Sequence, residues 1–245
     1  MKKMALALTF FFLIVILASA SVVKVGVEKE LKGNISAVFF EAENGLLKLN
    51  LEFFNSGSIA YRARVSFDVI NSSKVFFTGW SKEEVLMPGE AKNFEIFYYS
   101  RKTEKLNGRV RVYYGNEIVE RELEFNLTSE KPYENIFQVK NFRVYDDYIR
   151  FEVKSSKSTK AIVIPKDYMP GWIFEQKKVD LEEKKNKEVI IPFKPQVWLS
   201  HNILIEIVSE DGNYYYSNSF NLEKEEGLIK YLHLLTDKLS VIFNL

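Results

Sequence analysis

Apolar and polar residues alternate with a period of two along most of this chain, the mark of strands that bury one face. Leu47, Leu49, Leu51 and Phe53 fall on one side of a segment that the turn-forming run Asn55-Ser56-Gly57-Ser58 ends. Tyr61, Ala63, Val65, Phe67 and Val69 then alternate with Arg62, Arg64, Ser66 and Asp68, which predicts a long half-buried strand. Further strands are predicted at 23–27, 35–41, 75–77, 94–98, 109–114 and 118–125, and in the second half at 137–145, 148–153, 160–164, 177–181, 189–193, 203–208 and 214–220. Asn44-Gly45, Gly115-Asn116, Asp146-Asp147 and Asp211-Gly212-Asn213 supply hairpin turn chemistry. Many short strands, frequent turns and no helical stretch within 22–127 predict antiparallel β-sandwiches.

The pattern occurs twice. Gly79-Trp80 recurs as Gly171-Trp172, an offset of 172 − 80 = 92, and Phe125-Asn126-Leu127 recurs as Phe220-Asn221-Leu222, an offset of 220 − 125 = 95. A repeat of that length is one domain long, which predicts a tandem duplication. The expected units are 21–128 and 136–223, joined end to end by a short linker at 129–135 that contains Pro132. The two tryptophans are expected to be equivalent core plugs.

Both ends of the chain depart from the period of two. Lys2 and Lys3 precede an unbroken apolar run, and Ala18-Ser19-Ala20 puts small residues where a signal peptidase cuts, so 1–20 is expected to be a secretory signal peptide. The alternative is an uncleaved anchor, because 4–23 is just long enough to cross a thin bilayer. With no cysteine, a lipid-linked terminus is excluded. At the other end Leu228, Leu232, Leu235, Leu239 and Ile242 step by four and three, which predicts an amphipathic helix over 224–245. That helix can dock on its own fold, pair with a partner helix or lie on a membrane surface; its few basic residues argue against anionic lipid.

Composition narrows the chemistry. Loss of the leader takes two of the 34 Lys+Arg and leaves 32 against 33 Asp+Glu, a net charge of −1, so no nucleic-acid surface is implied. Without cysteine the sandwiches must rest on packing, for which hydrophobic residues at 47% suffice. High charge with only three glutamines suits a hot environment. His201 and His233 lack companion soft ligands, so no metal site is expected, and no cofactor is implied. No Gly-x-Ser-x-Gly occurs, and Glu83-Glu84, Glu182-Glu183 and Asp146-Asp147 read as solvated turns rather than catalytic pairs.

Aromatic residues raise a binding question. Tyr98-Tyr99, Tyr113-Tyr114 and Tyr214-Tyr215-Tyr216 put rings on both faces of their strands, so a carbohydrate-binding surface built on Tyr98, Tyr99, Tyr214, Tyr215 and Tyr216 competes with plain sheet packing. Such a surface predicts that the five rings share one exposed flat patch. Asn34 and Asn71 open N-glycosylation triplets, as does Asn126 in the repeated strand end.

Asn55-x-Gly57, a long alternating strand, Gly79-Trp80, and Pro88-Gly89-Glu90 before the alternating Phe94 to Tyr98 resemble the CARDB-type, adhesion-related Ig-like modules and those that accompany some α-galactosidases. In the second half Ser155-Ser156-Lys157-Ser158 stands in place of Asn-x-Gly, and the resemblance rests on Pro170-Gly171-Trp172. It implies two tandem Ig-like antiparallel β-sandwiches in an all-β protein, and a spacer, adhesion or recognition role outside the cytoplasm. The expected function is therefore non-enzymatic: presentation of Ig-like modules to a protein partner or cell-surface component. The alternatives are a carbohydrate-binding accessory protein and an extracytoplasmic subunit of a membrane complex, with membrane contact through either terminus.

Overall fold

The computed structural model describes residues 29–71, 74–129, 134–195 and 200–223. The leader, Trp198, His233 and the helical contact set Leu228, Leu232, Leu235, Leu239 and Ile242 lie outside the described residues.

The described chain is all-β and its paired strands are antiparallel. In the first half β1 (Gly33–Glu43), β2 (Leu46–Asn55) and β6 (Ala91–Tyr99) form one sheet in the order β1-β2-β6. A second sheet has the order β4-β3-β7-β8, from β4 (Lys74–Trp80), β3 (Tyr61–Asn71), β7 (Glu104–Tyr114) and β8 (Glu117–Leu127), with β5 (Glu84–Leu86) also on β3. The second half repeats the scheme. β9 (Phe137–Val144), β10 (Tyr148–Ser155), β14 (Asn186–Lys194) and β12 (Ile173–Phe174) order as β12-β14-β10-β9. β13 (Lys177–Leu181), β11 (Thr159–Lys166), β15 (Asn202–Ser209) and β16 (Tyr215–Asn221) order as β13-β11-β15-β16.

The predicted alternation is what closes each half. Leu47, Leu49, Leu51 and Phe53 of β2 meet Val65, Phe67 and Val69 of β3 and Val110 and Val112 of β7 in one buried cluster, so the apolar faces of the two sheets share a core. At about 25 cal/mol per Å2 removed from water, each such side chain contributes on the order of 1.5–3 kcal/mol. The second core gathers Phe151, Val163, Trp172, Phe193 and Ile205 in the same manner. Asn44 (φ 46) and Gly45 (φ 83) both take the left-handed conformation that a two-residue hairpin needs, and they join β1 to β2. The fully buried Asn55 spends its side-chain amide on the carbonyls of Ile59 and Leu86 and accepts from Gly57 N–H, which ends β2. Ser155 holds the same place at the end of β10, its hydroxyl donating to Lys157 O and accepting from Lys157 N–H.

Three expectations are corrected. The halves lie side by side rather than end to end: β4 and β6 of the first pack against β11 and β12 of the second, and Ile162, Ile164 and Val208 join the first core. The polar face of β3 is not solvated, since Arg64, Ser66 and Asp68 are 7%, 1% and 3% exposed, covered by ion pairs and by the other half. The tryptophans are not equivalent. Trp172, in the turn before β12, is a plug of the second core between Phe174 and Phe193, whereas Trp80 ends β4 and its ring meets Tyr113 outside the core. The repeated Phe-Asn-Leu does match in register, Asn126 facing Lys105 and Asn221 facing Asn202 near the ends of the last hairpins.

Candidate functional site

Where the halves meet, the second completes what the first leaves open. β6 is an edge strand, and Gln176 pairs with it as another strand would: Phe97 N–H donates to Gln176 Oε1 at 2.7 Å, and Gln176 Nε2 donates to Phe97 O at 2.7 Å. The neighbouring Glu175 makes a parallel bridge to Trp80. A Cβ on Gly79 would lie 2.8 Å from Ile96 and 2.9 Å from Gln176 Nε2, so glycine is needed there for close approach between the halves. Lys166 is held between Tyr99 O at 2.7 Å and the Glu206 carboxylate at 2.6 Å, both ion-pair partners being nearly buried. The Tyr99 and Tyr215 rings stack 4.9 Å apart, and Asn44 Nδ2 of one hairpin donates to Asp211 O of the other at 2.8 Å.

Beside this seam lies a cleft of about 840 Å3. Its floor is the outer face of the β4-β3-β7 sheet, and its other wall is the segment after β11. Cross-strand register builds the floor in rows: Trp80, Ser66 and Arg111 in one, Thr78, Asp68 and Arg109 in the next, with Arg64 opposite Tyr113. Asp68 accepts from Arg111 Nη1 at 2.9 Å, from Thr78 Oγ1 at 2.8 Å and from Arg109 Nη2 at 3.5 Å. Arg64 Nη2 reaches Glu175 Oε1 of the other half at 3.0 Å. On the wall, Pro170 and Gly171 (φ 85) sit at the centre of a turn closed by Trp172 N–H to Met169 O, the geometry of a type II turn. Tyr168 O–H donates to Thr78 O and ties that segment to the floor.

Six cations line the cleft, Arg62, Arg64, Arg109, Arg111, Lys166 and Lys194, against the carboxylates of Asp68, Glu83 and Asp167. Burial pushes Glu83 up, but the Arg62 hydrogen bond and the charges of Arg64 and Lys194 outweigh it and hold the carboxyl below its ordinary range. Glu175 behaves oppositely: burial raises it, and Arg64 offsets only part. Burial also drives the Tyr168 phenol far above its usual value, so it stays a donor.

The sequence-predicted residues fall elsewhere. Tyr98 and Tyr99 are buried, 3% and 2% exposed, and with Tyr215 line the seam. Burial and the Glu206 carboxylate push Tyr215 up to about 12, and its hydroxyl donates to Glu206. Tyr214 and Tyr216 pack against the second core, Tyr214 also under the Lys157 ammonium, so the five tyrosines do not share one exposed patch. Asn34 in β1 and Asn71 at the end of β3 are exposed. His201 Nε2 lies 2.7 Å from Asp167 O, with its ring against Trp172. Glu83, expected in a solvated turn, is instead part of the cleft. The cleft itself was not singled out from the sequence; its signal was Arg-x-Arg-x-Ser-x-Asp on one strand facing Arg-x-Arg-x-Tyr on its neighbour.

No family model matches the chain, and no curated protein matches it. Among solved structures the chain is similar to a red sea bream transglutaminase at 10% identity and a TM-score of 0.30, covering 80% of this chain and 31% of that one. It is also similar to the YadV chaperone, at 8% and 0.24 over 71% of this chain and 92% of that one. A protein of unknown function from Porphyromonas gingivalis W83 stands at 10% and 0.27, over 77% and 98%. The chain spans about a third of the transglutaminase, and at these scores none of the three bears on function.

Proposed function

We propose that this is a non-catalytic, extracytoplasmic binding protein: two Ig-like sandwiches locked side by side, with the cleft between them as the face that takes the ligand. One observation carries the reading, the covering of a charged sheet face in one half by a turn of the other. Each half alone would leave Arg64 without Glu175 and Phe97 without Gln176, so the site belongs to the pair. The strand order, with a three-stranded sheet against a five-stranded one in the first half and two four-stranded sheets in the second, supports the Ig-like assignment. Lys2-Lys3, the apolar run and Ala18-Ser19-Ala20 support export. Two of the cleft's carboxylates, Asp68 and Glu83, are engaged by arginines, which suits recognition better than proton transfer.

Retention on the cell envelope tests the proposal. Full-length protein is expected in the envelope fraction, with retention reduced by Arg109→Gln or Trp80→Ala. Retention indifferent to both substitutions, yet lost when 224–245 are removed, would instead favour a membrane-complex subunit held by its C-terminal helix.

A further inference from the structure

The geometry points to an acidic saccharide, a sugar ring bearing a carboxylate, as the ligand of the inter-module cleft; this inference rests on the binding reading above. Among the described residues, buried side-chain polar atoms without a hydrogen-bond partner concentrate on the cleft floor: Ser66 Oγ, Trp80 Nε1, Arg64 Nε and Arg109 Nε. Three of these are N–H groups that can only donate, and Ser66 can donate as well. Buried donors left unpaired are costly, and a cluster of them calls for an acceptor-rich partner. Arg64 is 7% exposed and spends Nη2 on Glu175 while its Nε stays unpaired, so it is a built feature of the floor and not a passing surface charge. Arg109 holds Asp68 at 3.5 Å against 2.9 Å for Arg111, which makes it the guanidinium most readily turned toward an incoming anion.

Charge alone would be met by any small anion. The floor adds two partly exposed aromatic rings, Trp80 and Tyr113, with centroids 5.4 Å apart and planes tilted by 41°, set among the arginines. An inorganic ion has no use for ring faces, whereas the C–H face of a sugar packs on them while its carboxylate takes the planar Arg fork. The lining carboxylates Glu83 and Asp167 can accept from ring hydroxyls. A peptide strand is disfavoured, because strand addition needs the backbone groups of a sheet edge and this floor is a sheet face of side chains. The volume of about 840 Å3 lies within the range of about 300–1,000 Å3 typical of ligand sites and holds a short oligosaccharide.

The test is calorimetric titration of the full chain with tetramers of galacturonate, glucuronate and mannuronate, a neutral galactose tetramer, and inorganic phosphate. At least one uronate tetramer is expected to bind, the neutral tetramer and phosphate at least about tenfold more weakly. Arg109→Gln should weaken uronate binding about tenfold or more, in keeping with the loss of a charge-assisted hydrogen bond. Trp80→Ala should weaken it similarly, with partial recovery in Trp80→Phe; the Arg109 variant keeps the test valid if removal of the indole unfolds the chain. Equal binding of the neutral tetramer overturns the carboxylate requirement, and equal binding of phosphate overturns the sugar requirement. If no uronate binds while envelope retention still depends on Arg109 and Trp80, the ligand class is wrong and the binding reading stands. If retention ignores both residues, the binding reading falls.

Discussion

Gln176→Ala isolates the contact that most directly couples the halves. The substitution removes two hydrogen bonds of 2.7 Å and leaves the N–H and C=O of Phe97, on the edge of the β1-β2-β6 sheet, without their partner. At about 0.5–1.5 kcal/mol net for each bond, the coupling should fall by about 1–3 kcal/mol, which raises the opened population roughly 5- to 150-fold. Native-state hydrogen exchange at the Phe97 amide reads that change, and denaturant unfolding should separate from one transition toward two. Ile96, next along the same strand, pairs with Leu49 of β2 and by strand alternation turns its amide toward β2, so it serves as an internal control. Unchanged Phe97 exchange together with an unchanged single transition would refute the reasoning.

Other contacts yield further expectations. Gly79→Ala would drive a methyl within 3 Å of Ile96 and Gln176 and should destabilise by about 1–3 kcal/mol, measured by chemical denaturation. Lys166→Met strands the nearly buried Glu206 and should cost about 3–5 kcal/mol, whereas Lys166→Met with Glu206→Leu should recover most of that loss. Leu49→Ala in the first core should cost about 2–5 kcal/mol. Acid should loosen the seam at Glu95, where burial pushes the carboxyl up but the hydrogen bonds and charges of Lys178 and Lys48 hold it below its ordinary 4.5. The stability it contributes is present above that value and lost as pH falls through the lowered one, so Lys178→Met should flatten the acid limb of a stability-against-pH curve.

Period-two alternation made the strands legible, because one face of each had to meet a core: the predicted 177–181 matches β13 residue for residue. Turn chemistry was legible for a related reason, since Asn44-Gly45 can take positive φ cheaply and the hairpin requires it. β5 and β12 were missed, being three and two residues long, too short for any period to register. The inter-module cleft was hidden for a different reason. Arg62, Arg64, Ser66 and Asp68 read as a wet strand face, and nothing local says that a turn 100 residues on will cover it. Gly79-Trp80 reads as half of a repeat, but its glycine is explained by the approach of Gln176, a contact that exists only between halves. Tyr98 and Tyr99 misled similarly: rings on both faces of an edge strand suggest an exposed platform until a neighbouring half buries them.

Two β-sheet halves that form one rigid body hold exposed positions on either half at a fixed separation. The chain has no cysteine, so cysteines placed at the exposed positions Glu122 and Lys187 can carry spin labels with no competing thiol. A double electron–electron resonance measurement between them should give one narrow distance distribution that broadens in Gln176→Ala. A broad or multi-peaked distribution in the otherwise unaltered protein would contradict the account.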